Sequence, residues 1–167
     1  GVVPEAPGAG IAGWGGGRRV QERLLWGGRV GTGRERRMDL AQVEDPDYIS
    51  MEEGRTTQHE WLRAAGTLPD DPVLHACVLT YASDMTLLDA ALLPHSGSWQ
   101  HPSLFMASLD HAMWFHHPFR ADEWLLHSQD TPSASAGRGL GRGRIFTIHG
   151  DLAVTVVQEG LIRVTRE

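Results

Sequence analysis

The sequence contains no lysine and a single cysteine, Cys77, in 167 residues. All 15 basic residues are therefore arginine, and 21 acidic residues outnumber them, so the formal net charge is −6. Because nucleic-acid-binding proteins usually carry a basic excess, this charge argues against a nucleic-acid partner. The lone cysteine excludes an internal disulfide and a zinc site built from several cysteines.

Long apolar runs are also missing. No run approaches the roughly 18 residues that a transmembrane helix needs, so we expect no membrane insertion. Residues 1–5 (Gly-Val-Val-Pro-Glu) lack the basic-then-apolar order of a secretory signal, and residues 164–167 differ from the Ser-Lys-Leu peroxisomal address. We therefore expect a soluble protein of the cytoplasm.

Glycine and arginine are concentrated at the beginning of the chain. Residues 1–37 hold 11 of the 20 glycines and carry 7 arginines against 3 glutamates, whereas the other residues carry 8 arginines against 18 acidic residues. So much glycine makes a helix or a strand costly. We predict that residues 1–36 form a poorly ordered tail or linker remnant, and that residues 37–167 form the folded domain.

One segment has the pattern of a buried α-helix. Asp70 or Asp71 can cap its beginning, Pro72 suits a first helical turn, and Pro94 disfavours helical conformation in the residue before it. Between these limits, apolar residues recur at helical spacing: Leu74, Val78, Leu79, Ala82, Met85 and Leu88. Since the segment is apolar on nearly all sides, we expect one long, buried helix.

Segments with a period of two flank this helix and predict β-strands. They comprise residues 38–43, 59–65, 104–109 (continuing towards Trp114 and Phe115), 123–129, 133–147 and 152–164, the last two joined by a hairpin at residues 149–151. One buried helix among successive strands predicts an α+β fold, in which an antiparallel sheet wraps around a long central helix.

Three polar residues lie within these apolar segments. Asp84 lies in the predicted helix, where a carboxylate must be hydrogen-bonded, protonated or open to a cleft, so it can be a structural group or a general base. Ser108 and Gln158 lie in predicted strands, where exposed polar residues are common. Ser108 lacks the Gly-x-Ser-x-Gly sequence of serine hydrolases, so we do not expect its hydroxyl to attack a substrate directly.

The histidines and the cysteine form no metal-binding or nucleophile motif. The chain has no His-Glu-x-x-His sequence, although histidines occur close together at His95, His101, His111, His116 and His117. We expect no metal ion and no cofactor. Because Cys77 has apolar neighbours, we expect a buried and inert thiol.

Glycine and arginine alternate along residues 137–144. In a strand the four glycines lie on one face, which lets a bulky element approach the backbone, and we expect that element to be the helix. Arg138, Arg142 and Arg144 lie on the opposite face. That face can simply be solvated, or it can bind the phosphates of an anionic ligand, and the sequence leaves both alternatives open.

Several longer motifs follow one another in order. They are residues 68–72 (Leu-Pro-Asp-Asp-Pro), 81–84 (Tyr-Ala-Ser-Asp), 91–95 (Ala-Leu-Leu-Pro-His), 108–116 (Ser-Leu-Asp-His-Ala-Met-Trp-Phe-His), 118–120 (Pro-Phe-Arg), 133–135 (Ser-Ala-Ser) and 157–163 (Val-Gln-Glu-Gly-Leu-Ile-Arg). Over residues 37–164 the sequence resembles the acyl-CoA thioesterase II family. The resemblance implies a hotdog fold, in agreement with the prediction from periodicity.

The resemblance also implies a function, the hydrolysis of fatty acyl-CoA to free fatty acid and CoA. Members of the family use an aspartate, a serine or threonine, and a glutamine to hold and activate a water molecule. These roles would fall on Asp84, Ser108 and Gln158. Family members carry two hotdog repeats, of which this sequence resembles the second. Since substrate grooves of hotdog proteins usually lie between paired repeats, we expect a homo-oligomer formed by hotdog pairing.

Two other functions stay open. A hotdog module without its first repeat can bind acyl-CoA or a partner without turnover, and the absence of a match to that repeat in residues 1–37 supports this alternative. A hotdog dehydratase would use a histidine and a carboxylate. The serine and the glutamine have no obvious place in that chemistry.

Overall fold

The computed structural model describes residues 38–43, 56–95 and 103–164. The predicted tail, residues 1–36, lies outside the described residues. The elements are, in chain order, β1 (Met38–Gln42), β2 (Thr57–Ala64), α1 (Pro72–Ser83), a 3₁₀ helix (Leu87–Leu92), β3 (Leu104–Ser108), β4 (Ala112–Phe115), β5 (Leu125–Ser135), β6 (Arg138–Thr147) and β7 (Leu152–Val164). In the described ranges, no helix is long and apolar enough to cross a membrane.

The described strands form one antiparallel sheet in the order β1-β2-β5-β6-β7-β3, and β4 also pairs with β7. Since β6 occupies one side of β7, both β3 and β4 lie along its other side, with residues 109–111 between them. The sheet curls around the helical segment, which confirms the predicted α+β fold with an antiparallel sheet around a central helix.

Local sequence signals explain where α1 and the last hairpin form. Asp71 caps α1 by accepting a hydrogen bond of 2.9 Å from the Val73 N–H, and Pro72 occupies the first turn. Gly150 turns the chain between β6 and β7 with a φ of 89°, and its N–H donates a 3.0 Å hydrogen bond to the Thr147 carbonyl. Both features were predicted from the sequence.

The helical segment is broken near its middle, so the prediction of one continuous helix as far as Leu93 is wrong. The α-helix ends at Ser83, and the chain leaves helical conformation at Thr86, whose φ and ψ are −132° and −9°. The 3₁₀ helix follows. The apolar pattern continues across the break, because both parts pack into the same core. The break leaves Asp84 at the end of a helix instead of inside one.

Several strand limits also differ from the prediction. Residues 133–147 do not form one strand, because residues 136 and 137 turn with φ angles of 52° and 74°, so that residues 133–135 end β5 instead. Residues 104–115 form two strands. β2 begins at Thr57, two residues before the predicted limit.

Two of the four alternating glycines, Gly139 and Gly141, lie against the helical segment, as predicted. Gly143 is on the same buried face but lies against His127 and Val156, and Gly137 lies in the turn before β6. A Cβ atom at Gly141 would lie 2.5 Å from the Leu87 carbonyl oxygen, and one at Gly139 would lie 2.6 Å from the Cβ of Ala91. Because these side chains are missing, the 3₁₀ helix packs directly on the backbone of β6.

One face of α1 is exposed. Val73, Cys77 and Tyr81 follow one another at intervals of four residues and therefore share this face. Val73 is 69% exposed, Tyr81 is 64% exposed, and Cys77 is exposed as well. The predictions of a helix buried on all sides and of a buried thiol at Cys77 are both wrong, because the sheet covers only the opposite side of α1.

Arg120 and Asp122 form an ion pair in the loop before β5, and Asp122 also bonds to the loop before α1. Asp122 accepts hydrogen bonds from Arg120 Nε (3.0 Å), from Arg120 Nη2 (3.1 Å) and from the Leu68 N–H (2.8 Å). The Arg120 guanidinium lowers the pKa of Asp122 from 3.8 to about 2. Because this pKa is lower in the folded state, Asp122 stabilises the fold above about pH 4, and that contribution disappears as the pH falls towards 2.

We expect Asp122→Asn to lower the free energy of unfolding at neutral pH, and to have progressively less effect between about pH 4 and about pH 2. Urea unfolding at neutral pH and at acidic pH measures the difference. Asp151→Asn, the same change in the exposed β6–β7 hairpin, is the matched control. A loss of stability that is equal at both pH values would contradict this account of the ion pair.

Candidate active site

Asp84, Ser108 and Gln158, which were predicted from the sequence, meet at one cavity. Asp84 follows the last residue of α1, Ser108 ends β3, and Gln158 lies in the middle of β7. The cavity has a volume of about 380 Å³ and is lined by Thr80, Tyr81, Asp84, Ser108, Leu109, Asp110, His111 and Gln158. A carboxylate, a hydroxyl and a carboxamide from three distant parts of the chain therefore face the same space.

Asp84 is exposed, although its sequence context is apolar. It is the C-terminal cap of α1, at the beginning of the break, and it lines the cavity. One carboxylate oxygen, Oδ1, accepts a hydrogen bond from Gln158 Nε2. This bond holds the carboxylate in one orientation. It also provides a hydrogen-bond donor, which we expected a carboxylate in this apolar segment to need.

One polar atom of the Gln158 side chain has no hydrogen-bond partner among the described residues. Its side chain is fully buried, and while Nε2 donates to Asp84, the amide oxygen Oε1 has no hydrogen-bond partner among the described residues. A buried acceptor without a donor costs about 1–3 kcal/mol, so such groups are rare in folded proteins. Because Gln158 is one of the residues that line the cavity, this acceptor belongs to the candidate site.

Strand register places Ser108 beside Gln158. Ser108 lies opposite Gly160 in the β3–β7 pair, and Gly160 shares a face of β7 with Gln158 because the two lie two positions apart. The gap between β3 and β4 is fixed against β7, since the Glu159 N–H donates a 2.7 Å hydrogen bond to Asp110 Oδ1. The hydroxyl of Ser108 is therefore held at the rim of the cavity.

His111 lines the same cavity, although the sequence singled it out only as one of several histidines. Its Nε2 lies within hydrogen-bond distance, 3.2 Å, of Ser83 Oγ, and the Ser83 hydroxyl also lies 3.1 Å from the Thr80 carbonyl oxygen. Burial lowers the pKa of His111, an effect that the neighbouring Asp84 carboxylate partly opposes. The position just after the strand that carries Ser108 was the signal that could have identified it.

The three arginines of β6 are not brought to the cavity. Arg138, Arg142 and Arg144 lie on the outer face of the sheet, whereas the cavity lies on the inner face. Arg138 pairs with Glu159 at 3.1 Å, and Arg142 makes two hydrogen bonds of 3.0 and 2.8 Å to Asp130. A phosphate-binding role for these arginines stays a prediction.

The histidines that lie close together in the sequence have different surroundings in the structure. His101 lies outside the described residues, and His116 places its Nε2 2.9 Å from Thr155 Oγ1 on the surface of the sheet. Within residues 38–43, 56–95 and 103–164, no group of three or more histidine, cysteine, aspartate or glutamate side chains is arranged to hold a metal ion.

Comparison with known proteins assigns the family. Residues 35–161 match a family model described as acyl-CoA thioesterase. The chain belongs to the acyl-CoA thioesterase family. This finding confirms the family resemblance that the motifs indicated.

The curated relatives of this thioesterase-family chain are considerably longer than the chain. Acyl-coenzyme A thioesterase 8 from Homo sapiens is 44% identical over 128 residues, which cover 76% of this chain and 40% of the human protein. Acyl-CoA thioesterase 2 from Haemophilus influenzae is 40% identical over 106 residues, which cover 64% of this chain and 37% of that protein. The chain thus spans about two fifths of these relatives.

Solved structures agree on the fold. The acyl-CoA thioesterase II TesB2 from Mycobacterium marinum is 48% identical, with a TM-score of 0.67, over 77% of this chain and 50% of that chain. A protein from Alicyclobacillus acidocaldarius described as having a hot dog fold is 13% identical, with a TM-score of 0.59, over 78% of this chain and 47% of that chain. These similarities confirm that this member of the acyl-CoA thioesterase family has a hotdog fold.

Proposed function

We propose that this chain hydrolyses fatty acyl-CoA to a free fatty acid and CoA, with Asp84, Ser108 and Gln158 holding the attacking water. The convergence of these three side chains on one cavity, in a chain of the acyl-CoA thioesterase family, carries the proposal. A carboxylate supplies a base, and a hydroxyl and an amide oxygen supply further hydrogen-bonding groups for one water molecule. The three groups together fix where the water lies.

Asp84 is the general base in this mechanism. As the water oxygen bonds to the thioester carbonyl carbon, a water proton passes to the Asp84 carboxylate and the carbonyl electron pair moves to oxygen. The tetrahedral intermediate then collapses, the carbon–sulfur bond breaks, and the thiolate of CoA takes the proton from Asp84. Acyl-CoA and water thus give a carboxylic acid and a thiol, with atoms and charge balanced.

Gln158 and Ser108 orient the water. Gln158 Nε2 is occupied by Asp84, so the buried and unpaired Oε1 is the atom that accepts a proton of the water. The hydroxyl of Ser108 can donate to the water oxygen and thereby direct its remaining lone pair to the carbonyl carbon. Fixing a nucleophile close to its target removes much of the entropic part of the barrier.

We further propose that the cavity is completed by a second copy of this chain, giving a homo-oligomer. The exposed apolar residues Tyr81 and Leu109 line the cavity. Phe105, Trp114 and Phe115 are about half exposed on β3 and β4, along the outer side of β7. Among the described residues, no further strand pairs with the edge formed by β3 and β4, and an apolar edge beside an apolar helix face favours association with another sheet. The cytoplasmic location stays a prediction from the sequence.

An assay of CoA release, combined with sedimentation analysis, tests this function. The purified chain should release CoA thiol from acyl-CoA of medium or long chain length, and the active species should be larger than one chain. A monomer, or an assembly that binds acyl-CoA without releasing thiol, would support the alternative of a non-catalytic hotdog module and overturn the proposal.

The dehydratase alternative has one observation in its favour, since His111 lies in the same cavity as Asp84. A dehydratase would remove water from a 3-hydroxyacyl thioester and leave the thioester bond intact. Spectrophotometric detection of the unsaturated product, measured beside thiol release, distinguishes the two reactions. We expect thiol release, because Gln158 and Ser108 face the space that a water molecule would occupy.

A further inference from the structure

Four polar side chains form a buried group on the inner face of the sheet, away from the cavity. Gln58 and Glu60 come from β2, and their register partners Gln129 and His127 come from β5. We call these four residues the polar square. All four are between 0% and 8% exposed. Polar groups buried this deeply are costly unless each finds a partner, so their arrangement calls for an explanation.

Thr86 adds hydrogen bonds to the polar square from the helical side, while His127 Nε2 has no hydrogen-bond partner among the described residues. The Thr86 hydroxyl donates to Glu60 Oε1, and its backbone carbonyl accepts a 3.3 Å hydrogen bond from Gln58 Nε2. Gln129 Nε2 lies 2.9 Å from Glu60 Oε1 and 2.8 Å from Thr86 Oγ1, and Gln129 Oε1 accepts a 2.8 Å hydrogen bond from Gln58. Without Thr86 the square would contain a buried carboxylate with fewer donors.

The same threonine is the residue at which the helical segment breaks. Its hydroxyl does not cap the 3₁₀ helix, because it is bonded to Glu60 instead. From the other side, Leu87 packs its carbonyl against the backbone of β6 at Gly141. The break is therefore fixed between the polar square and the glycine face of β6. Asp84 lies two residues before Thr86, so the position of Asp84 depends on the contacts that the break makes with the polar square and with β6.

We infer that the polar square and Thr86 position Asp84 for catalysis. This inference rests on the proposed function, in which Asp84 is the base. Neither Thr86 nor the square contacts the cavity, so they are positioning residues. A buried polar network selects one register of two packed elements, because any shift would leave its members unpaired. In this fold the network fixes the position of the break between α1 and the 3₁₀ helix. That position sets where the Asp84 carboxylate meets Gln158.

Replacement of the threonine hydroxyl tests this inference. Thr86→Val keeps the shape of the side chain and removes its donor, so we expect kcat to fall roughly 10- to 100-fold with KM within about twofold, as for a small misplacement of a catalytic group. Thr86→Ser keeps the hydroxyl and should restore most of kcat. Val154→Ala, which opens a cavity elsewhere in the core, should lower the melting temperature and leave kcat close to that of the parent.

A double substitution separates this inference from the proposed function. If Thr86 acts through Asp84, then Thr86→Val should cause no further loss in an Asp84→Asn background. If Asp84→Asn alone leaves kcat unchanged, the proposed function is wrong. If Asp84→Asn removes activity but Thr86→Val keeps kcat within about twofold, the proposed function stands and the positioning role is wrong.

A spectroscopic measurement decides the point without turnover. The side-chain NH₂ of Gln158 donates to Asp84, so its ¹H–¹⁵N signals report the position of that carboxylate. We expect Thr86→Val to shift these signals, and Val154→Ala to leave them nearly unchanged. Signals that stay in place in Thr86→Val would show that the break keeps its position without the hydroxyl, which would overturn the inference.

Discussion

Asp84→Asn should lower kcat for acyl-CoA hydrolysis by about 10²- to 10⁴-fold, the usual contribution of a general base. The asparagine has nearly the same shape and keeps an oxygen that can accept the hydrogen bond from Gln158, so the local structure should survive. What it loses is the ability to take a proton from water. KM should change little, because Asp84 contributes to the transition state more than to binding of the acyl chain.

Thiol release measured over a range of acyl-CoA concentrations gives both constants. Asp151→Asn makes the same chemical change in an exposed hairpin and should behave like the parent chain. Circular dichroism and thermal melting establish that both variants are folded. Activity of Asp84→Asn within about threefold of the parent would exclude Asp84 as the base, whatever the fold.

Gly141→Ala should destabilise the fold by about 3 kcal/mol or more, at the upper end of the range for overpacked cores. The added Cβ would lie 2.5 Å from the Leu87 carbonyl oxygen and 3.2 Å from the carbonyl carbon. Both atoms belong to the backbone, so no rotation of a side chain relieves the clash. Either the 3₁₀ helix must move away from β6, or the strand must bend.

Urea unfolding compares this variant with Arg144→Ala. Arg144 lies in the same strand, and its side chain points to the exposed outer face, so its truncation should change stability by about 0.5 kcal/mol or less. Equal effects of the two substitutions would mean that the close packing of the 3₁₀ helix on β6 contributes nothing to stability.

The outline of the fold was predictable because each element has a local signal. The alternation of glycine along β6 indicated which face the helix approaches, and the cap at Asp71 with Pro72 marked the beginning of α1. The break after α1 was not predictable. Thr86 in the break is hydrogen-bonded to Glu60, a residue 26 positions earlier, and apolar residues continue at helical spacing on both sides of the break.

The residue types of the site could be predicted from the sequence, but the relative positions of their side chains could not. Asp84, Ser108 and Gln158 were identified from polar residues in apolar segments and from motifs that resemble a family. Their meeting depends on the register of β3 against β7, which no local pattern specifies. His111 was missed as a member of the site because its place in the gap between β3 and β4 exists only once both strands lie along β7.

The pairing of β3 has a consequence for synthesis of the chain. Ser108 finds its partner Gly160 only 52 positions later, and β4 also pairs with β7. At a translation rate of about 5–20 residues per second, the ribosome adds those residues in roughly 3–10 s. During that interval Phe105 and Trp114 cannot pair with β7, so the cavity between Asp84, Ser108 and Gln158 can form only after β7 has been synthesised.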